Sequence, residues 1–497
     1  MTRQSEHIDV LIIGAGISGI GAAHYLQTER PGSSYAILEA RGVSGGTWAL
    51  FRYPGIRSDS DLHTFGYAFK PWRNDKSIAT ADLILDYLRE TAGESGIEQR
   101  IRYHHRVRGA AWSTAEARWT VEIERADTGE RVSMTANWLF CAGGYYRYDE
   151  GFTPRFEGRE RFAGQIVHPQ HWPEDLDCAG KKVVVIGSGA TAVTLIPALA
   201  DTAGHVTMLQ RSPTYILPVA SRDVIANTLR KVLPAGLAHR LTRRKNIALQ
   251  RFVWRTSQRH PRVVRRLIRA VNIRQLPAGY PVDEHFNPSY DPWDQRLCTV
   301  PDADLFKALK KGTASVVTDR IATFTETGIR LESGPELDAD IIVTATGLNV
   351  QLFGGMALSV DGEPVDFADR VAFKGMMLSG VPNFAFAIGY TNSSWTLKVG
   401  LLCEHFTRLL GHMDAIGADI CRPELPDPAM PTRPLLDFGA GYVKRSLHMM
   451  PRQGLAHPWL MSMNYHSDVK LLRGGPVEDD NLRFTSVARH AKARTSA

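Results

Sequence analysis

Twice in this chain a short β-branched run breaks into a glycine-rich turn and then into a helix-like stretch. The first copy is Asp9-Val10-Leu11-Ile12-Ile13, followed by Gly14-Ala15-Gly16-Ile17-Ser18-Gly19. A helical segment over 20–27 comes next, then a second apolar run, Tyr35-Ala36-Ile37-Leu38, ending in Glu39. Strand, GxGxxG, helix, strand and acid together form a dinucleotide-binding fingerprint. Gly14 makes the tight turn, Gly16 lets the backbone approach a pyrophosphate, and Gly19 lets the helix pack closely on the strand. The helix N-terminus then faces the phosphates. The Glu39 carboxylate, 20 residues beyond Gly19, can accept hydrogen bonds from free ribose hydroxyls. The competing reading is a glycine-rich turn in an ordinary βαβ core unit; the flanking strands and the acid favour a nucleotide.

The second copy runs from Lys182 through Val183-Val184-Val185-Ile186 to Gly187-Ser188-Gly189-Ala190-Thr191-Ala192. The apolar run that follows, His205-Val206-Thr207-Met208-Leu209, ends in Gln210-Arg211-Ser212. An arginine therefore stands near the place where the first copy has its acid. Its planar, always-charged fork can pair with a ribose 2′-phosphate. Site one reads as FAD and site two as NADPH; the plainer alternative for Arg211 is a solvated arginine at a strand end. The expected fold is α/β, with two Rossmann-like dinucleotide-binding domains and a basic helical insert. Two strand exits, Phe140-Cys141-Ala142-Gly143 and Ile341-Ile342-Val343-Thr344-Ala345-Thr346-Gly347, suggest that one domain is inserted in the other. The expected FAD-binding domain is 1–151 with 348–497, including a disordered tail over 488–497. The expected NADPH-binding domain is 152–222 with 291–347, and the insert is 223–290.

Composition narrows the rest. Residues 224–281 hold 14 Lys or Arg and no acid, so a chain of net charge +7 carries −7 outside them. A basic amphipathic insert can bind an anionic membrane surface. The reading favoured from sequence is a solvated helical face that draws NADPH in electrostatically. Five dispersed cysteines with no CxxC argue against a disulfide framework or structural zinc site. A reduced, cytoplasmic setting is expected, with peripheral membrane association as the variant. The uncharged runs 10–25 and 375–396 contain four glycines and several polar residues respectively, so no spanning helix is read. A monomer or weak oligomer is expected, with no nucleic-acid partner.

Just before the second fingerprint stands FAGQIVHPQHWP, residues 162–173. His168 and His171 with Cys178 match no standard zinc pattern, so no metal is expected. An interdomain linker with a hydrogen-bonding histidine and a packing tryptophan is the better reading of the residues. The segment also matches FxGxxxHxxxWP, and the chain here resembles the Baeyer–Villiger monooxygenases, a branch of the class B flavoprotein monooxygenases. Gly45-Gly46-Thr47-Trp48, RYPGIRSDSD over 52–61, MLQRSPTYI over 208–216, DPWDQRL over 291–297 and Ala345-Thr346-Gly347 are similar to the same family. Almost the whole chain is covered. The wording resembles a subgroup that contains a mycobacterial monooxygenase activating thioamide prodrugs and bacterial long-chain alkane or ketone monooxygenases.

The resemblance implies an enzyme in which NADPH reduces FAD and O2 then gives a C4a-peroxyflavin. That species inserts one oxygen next to a ketone carbonyl, yielding an ester or lactone. Arg296 matches the arginine that stabilises the negative peroxide, and Asp59 matches the carboxylate that orients it. Without the resemblance these residues read as an interdomain salt bridge and a cap or turn residue in SDSD. Gly14, Gly16, Ser18, Gly19, Glu39, Thr47, Trp48 and Asp59 match FAD contacts, and Val107 an adenine contact. Arg57 and Ser58 resemble the surface shared by flavin and nicotinamide. Gly187, Ser188, Gly189, Thr191, Arg211 and Ser212 match NADPH contacts, while His168 and Trp172 take conformational roles. Many members carry a lysine where Gln295 stands, so NADPH preference rests more on Arg211 and Ser212. The segment 390–395 is expected to bring polar groups and an indole near the flavin. Expected substrates are hydrophobic ketones, long-chain or aryl, with sulfides also oxidised. The alternatives are an S- or N-oxygenating flavin enzyme, a disulfide reductase, or a flavin redox sensor or membrane module.

Overall fold

The computed structural model describes residues 6–487 apart from 296, 437, 438 and 440. The arginine expected to stabilise peroxide and the 488–497 tail both lie outside the described residues.

The strand Glu6–Ile13 lies between Tyr35–Leu38 and Arg131–Cys141, parallel to both, with Ile13 opposite Leu38 on one side and Cys141 on the other. Leu11 and Ile12, on opposite faces, are both fully buried, as a parallel strand covered on both sides requires. The helix Ile17–Glu29 makes the crossover. On the outer side of Arg131–Cys141 the chain continues as an antiparallel meander through Arg118–Arg125 and His105–Ser113. There Trp119, Val121 and Ile123 point to the core and Thr120 and Glu122 to water, the period-two alternation of a one-faced sheet. Three later segments join this nine-stranded sheet: Ala357–Val360 pairs with His105–Ser113, Glu363–Pro364 with Ala357–Val360, and Phe384–Phe386 with Arg131–Cys141.

A second sheet of five parallel strands has the order Ala314–Thr318, His205–Gln210, Lys182–Ile186, Ile341–Thr344, Gln165–Val167. The helix Ala190–Leu199 follows its glycine turn. The α/β fold class read from the sequence, with two parallel nucleotide-type sheets, is what the structure shows. The chain passes between the sheets at Tyr146–Gly151 and Leu348–Val350, and these two crossings pair with each other as an antiparallel ribbon.

Three helices, Val224–Val232, Ala235–Arg259 and Pro261–Gln275, form the insert. The 25-residue helix buries Ala238, His239, Thr242, Asn246 and Ser257, all small or polar. Leu241, Leu249, Phe252 and Val253 of its apolar pattern are exposed instead. Among the described residues no helix is long and apolar enough to cross a membrane. All five cysteines are buried thiols. Burial pushes the Cys141 thiol up to about 12 and drives those of Cys403 and Cys421 higher still.

Candidate functional site

At the first glycine turn, a Cβ on Gly19 would sit 1.9 Å from the Gly14 carbonyl oxygen, so only glycine lets the helix start this close to the strand. Gly16 faces Gly46 across the turn, backbone to backbone. Glu39 Oε2 accepts from the Ala15 N–H at 2.9 Å and Oε1 from the Arg41 N–H at 3.0 Å. Burial raises this carboxyl's pKa, and the two amides work against that rise. The acid is thus held against the glycine loop, with lone pairs left for ribose hydroxyls. Ser18 Oγ accepts from the Trp395 indole N–H at 2.9 Å. Thr47 opens the short helix Thr47–Leu50, its hydroxyl 3.3 Å from that of Tyr148. Trp48 meets Phe65 edge to face, and Val107 is buried in the strand whose first residue, His105, donates to the Glu39 carbonyl.

The second turn repeats the construction. Gly187 has φ +133°, and a Cβ there would lie 2.4 Å from the Ala345 carbonyl oxygen. In front of Gly189 there is open space, room for a pyrophosphate against bare backbone. Ser188 Oγ is 2.8 Å from Thr214 Oγ1. Arg211 and Ser212 are exposed just past the strand end, and Arg211 makes no ion pair among the described residues. Both turns therefore fit a dinucleotide, and the second offers a free guanidinium beside it.

The segment 45–61 joins the two turns, its Gly45 N–H donating to the Ala15 carbonyl at 2.9 Å. Phe51 and Tyr53 pack into the core of the second sheet, and the Tyr53 hydroxyl is hydrogen-bonded to Thr191. Burial pushes the Tyr53 phenol up to about 12. Gly55 lies flat on the helix Ala190–Leu199, where a methyl group would come within 2.8 Å of Ala198 Cβ. Arg57 binds Asp304 through both guanidinium nitrogens, at 2.5 and 3.4 Å, clamping the loop to the helix Asp304–Lys311. Ser58 is buried and donates to the Ser60 carbonyl at 2.5 Å. The Asp59 carbonyl accepts from Thr299 Oγ1 at 3.4 Å, which ties the loop to the strand Cys298–Pro301 that follows Arg296 in sequence.

The helix cap in SDSD is Asp61. It accepts from the Thr64 N–H at 3.1 Å, from Asn246 Nδ2 at 2.8 Å and from Gln250 Nε2 at 2.7 Å. Ser393 Oγ donates to Gln250 Oε1 at 2.8 Å, and Ser394 and Thr64 hydroxyls meet at 2.6 Å. The polar inner face of the insert helix thus grips the segments on either side of Asp59 and Trp395. Behind Trp395, the fully buried Lys398 bonds Asp468 at 3.0 Å and the Ser462 carbonyl at 2.8 Å. Tyr390 donates to the same Asp468 oxygen at 2.6 Å.

His168 sits on the ribbon between the sheets. Its Nε2 is 3.2 Å from the Gly347 carbonyl oxygen, and its Nδ1 accepts from the Gln170 N–H at 3.1 Å. Burial lowers its pKa, which keeps the ring neutral at pH 7. Trp172 packs against the second core. Sequence reasoning assigned nothing to Tyr53, Asp304, Asp61 or Gln250. Tyr53 was visible inside RYPGIRSD; the other three come from distant segments.

Two dinucleotide turns bridged by the segment 45–61 define a two-nucleotide oxidoreductase. A profile of the pyridine nucleotide-disulphide oxidoreductase family matches residues 8–244. The FAD-containing monooxygenase EthA of Mycobacterium tuberculosis is 54% identical over 481 residues, covering 97% of this chain and 98% of that protein. The probable FAD-binding monooxygenase AlmA of Acinetobacter baylyi is 48% identical, covering 96% of each chain. In fold, the chain is similar to an oxidised steroid monooxygenase bound to NADP, with a TM-score of 0.77 and 22% identity, covering 97% of this chain and 100% of that one. It is similar also to a cyclohexanone monooxygenase, with a TM-score of 0.75 and 20% identity over the same shares. The chain belongs to the family of FAD-containing monooxygenases. The resemblance drawn from the sequence is borne out.

Proposed function

We propose that this chain is an NADPH- and O2-dependent flavin monooxygenase that inserts one oxygen beside a ketone carbonyl to give an ester or lactone. Its substrates are extended, poorly water-soluble aliphatic or aryl ketones, and it oxidises sulfides as well. The observation that carries this reading is the loop 53–61. It bonds the second turn through Tyr53 and Thr191, continues from Gly45, whose N–H donates to the Ala15 carbonyl of the first turn at 2.9 Å, carries Asp59, and is bonded to Thr299 three residues beyond Arg296.

Gly14, Gly16, Ser18, Gly19, Glu39, Thr47 and Trp48 would hold FAD, with Val107 toward the adenine. Gly187, Ser188, Gly189, Thr191, Arg211 and Ser212 would hold NADPH. When bound, these groups supply a hydride and an activated oxygen. Arg296 offers a cation that no working pH removes, which favours a negatively charged oxygen nucleophile over its protonated form. Asp59 orients that guanidinium, and Arg57 and Ser58 fix the loop that presents Asp59. With Gln295 in place of a lysine, discrimination for the 2′-phosphate falls to Arg211 and Ser212. His168 and Trp172 link rotation of the second sheet to retention of the oxidised nucleotide.

The test supplies NADPH, O2 and a long-chain linear methyl ketone to the holoenzyme and identifies products by mass spectrometry. Ester formed in step with NADPH use, and abolished in Arg296→Ala, is expected. Hydrogen peroxide as the sole product overturns the oxygenase reading. A sulfide oxidised while every ketone is refused moves the assignment to S-oxygenation.

A further inference from the structure

The outer face of the insert is neither a packed interface nor an ordinary solvated surface. Eleven of the fourteen large apolar side chains exposed among the described residues lie between 224 and 273. Val224 is 74% exposed, Val232 68%, Phe252 67% and Leu267 61%. On the helix Ala235–Arg259 the exposed residues Leu237, Leu241, Arg244, Ala248, Phe252 and Arg255 recur every three or four positions, a single stripe. On Pro261–Gln275 the stripe is Val263, Arg266, Leu267, Ala270 and Arg274. Apolar and guanidinium side chains therefore share one surface, with no acid anywhere in 224–281. A solvated face would show acids among its bases and few large apolar groups.

We propose that this face docks on the surface of an anionic lipid bilayer. The charge balance selects the partner: the insert holds 14 cations against a net −7 elsewhere, and while Arg230, Lys245 and Arg269 pair with Asp75, Asp223 and Asp283, the exposed Arg244, Arg255, Arg266 and Arg274 turn the striped face toward a negative surface. The apolar stripe selects a bilayer over a soluble polyanion, because Phe252, Leu249 and Leu267 gain nothing from phosphate but are buried on entering the acyl boundary. The inner face of the same long helix holds Asp61 and Ser393 through Asn246 and Gln250. Docking thus brings the bilayer to the wall of the flavin-side loop, where a substrate dissolved in lipid would enter. This last step rests on the proposed substrate class; the docking does not.

The experiment is flotation of the FAD-loaded protein with vesicles, read by flavin absorbance and independent of turnover. Binding to phosphatidylcholine vesicles containing phosphatidylglycerol, and little to pure phosphatidylcholine, is expected. Arg244→Glu with Arg266→Glu should weaken binding at least roughly twenty-fivefold. Phe252→Ser with Leu267→Ser should weaken it roughly tenfold. The control Lys310→Glu with Lys311→Glu reverses two exposed charges on another helix and should leave binding unchanged. Equal binding to both vesicle types, or equal loss in the control, overturns the proposal. So does an oligomer in solution that Phe252→Ser with Leu267→Ser converts to monomer without any vesicle binding, since the face then meets a second copy.

Discussion

Replacing Asp468 by Asn removes one charge from a site closed to bulk solvent. Lys398 is fully buried, and its ammonium meets the carboxylate at 3.0 Å, the Ser462 carbonyl at 2.8 Å and the Tyr390 ring 5.3 Å away. Leaving one partner of a buried pair uncompensated costs about 3–5 kcal/mol. The near-isosteric amide still accepts from Tyr390, so the loss is electrostatic and leaves packing intact. For a transition of this size the midpoint of heat-induced flavin release should fall by roughly 3–5 °C. Lys398→Met should cost a similar amount by stranding the carboxylate. The double variant removes both charges and should recover most of the loss, with a coupling of at least about 3 kcal/mol. The pH dependence follows from burial, which pushes the lysine pKa below its ordinary value. The unfolded chain then binds the proton more readily, so the penalty in Asp468→Asn shrinks as pH rises. Additive single costs, or a penalty that grows with pH, would refute the reasoning.

Three further outcomes follow. In Gly151→Ala the new methyl would lie 2.0 Å from the His168 ring, so the ring must leave Gly347. Gly151→Ala and His168→Ala should slow NADPH oxidation alike, and the double variant should be no worse than either; additive losses would count against a shared ribbon contact. Arg211→Ala should lower kcat/KM for NADPH roughly 10- to 100-fold and leave NADH unchanged; equal loss with both nucleotides contradicts a 2′-phosphate role. Burial pushes His405 from the ordinary 6.5 to about 4. The unfolded chain therefore takes that proton first, and about 3 kcal/mol of stability, complete above pH 6.5, is lost on acidification toward 4. Urea unfolding of His405→Asn at neutral and acid pH should show a flatter loss; an unchanged slope rejects the assignment.

The parts read most directly from the sequence are those with local causes. A glycine turn needs a strand before it and a helix after it, and Tyr35–Leu38 and Lys182–Ile186 appear where the patterns place them. Residues whose role depends on a distant partner were not legible. Arg57 finds Asp304 across 247 positions, a pairing no spacing rule contains. In SDSD two acids stand two residues apart, and the capping duty falls on Asp61 because the Thr64 amide and the insert helix meet there. The insert shows the limit of periodicity. Leu241, Phe252 and Leu267 mark helices correctly, yet they face outward because the available neighbour is a polar loop that Asn246 and Gln250 satisfy. A pattern identifies a stripe; only the tertiary neighbour decides which stripe turns in.

The buried thiols bear on how long such an enzyme lasts. Reduced flavin meeting oxygen without a substrate releases hydrogen peroxide, so the protein operates in its own oxidant. Peroxide attacks thiolate rather than thiol, and attack requires access. Burial pushes the Cys141 thiol up to about 12, so at pH 7 it stays protonated, and it is also covered. The same burial shields the other four. Oxidative wear is thereby shifted from sulfur that would crosslink or inactivate the chain to peripheral thioether, such as that of Met449 at 49% exposure. Idle turnover in an oxygen-rich cell can then proceed without the enzyme consuming its own core.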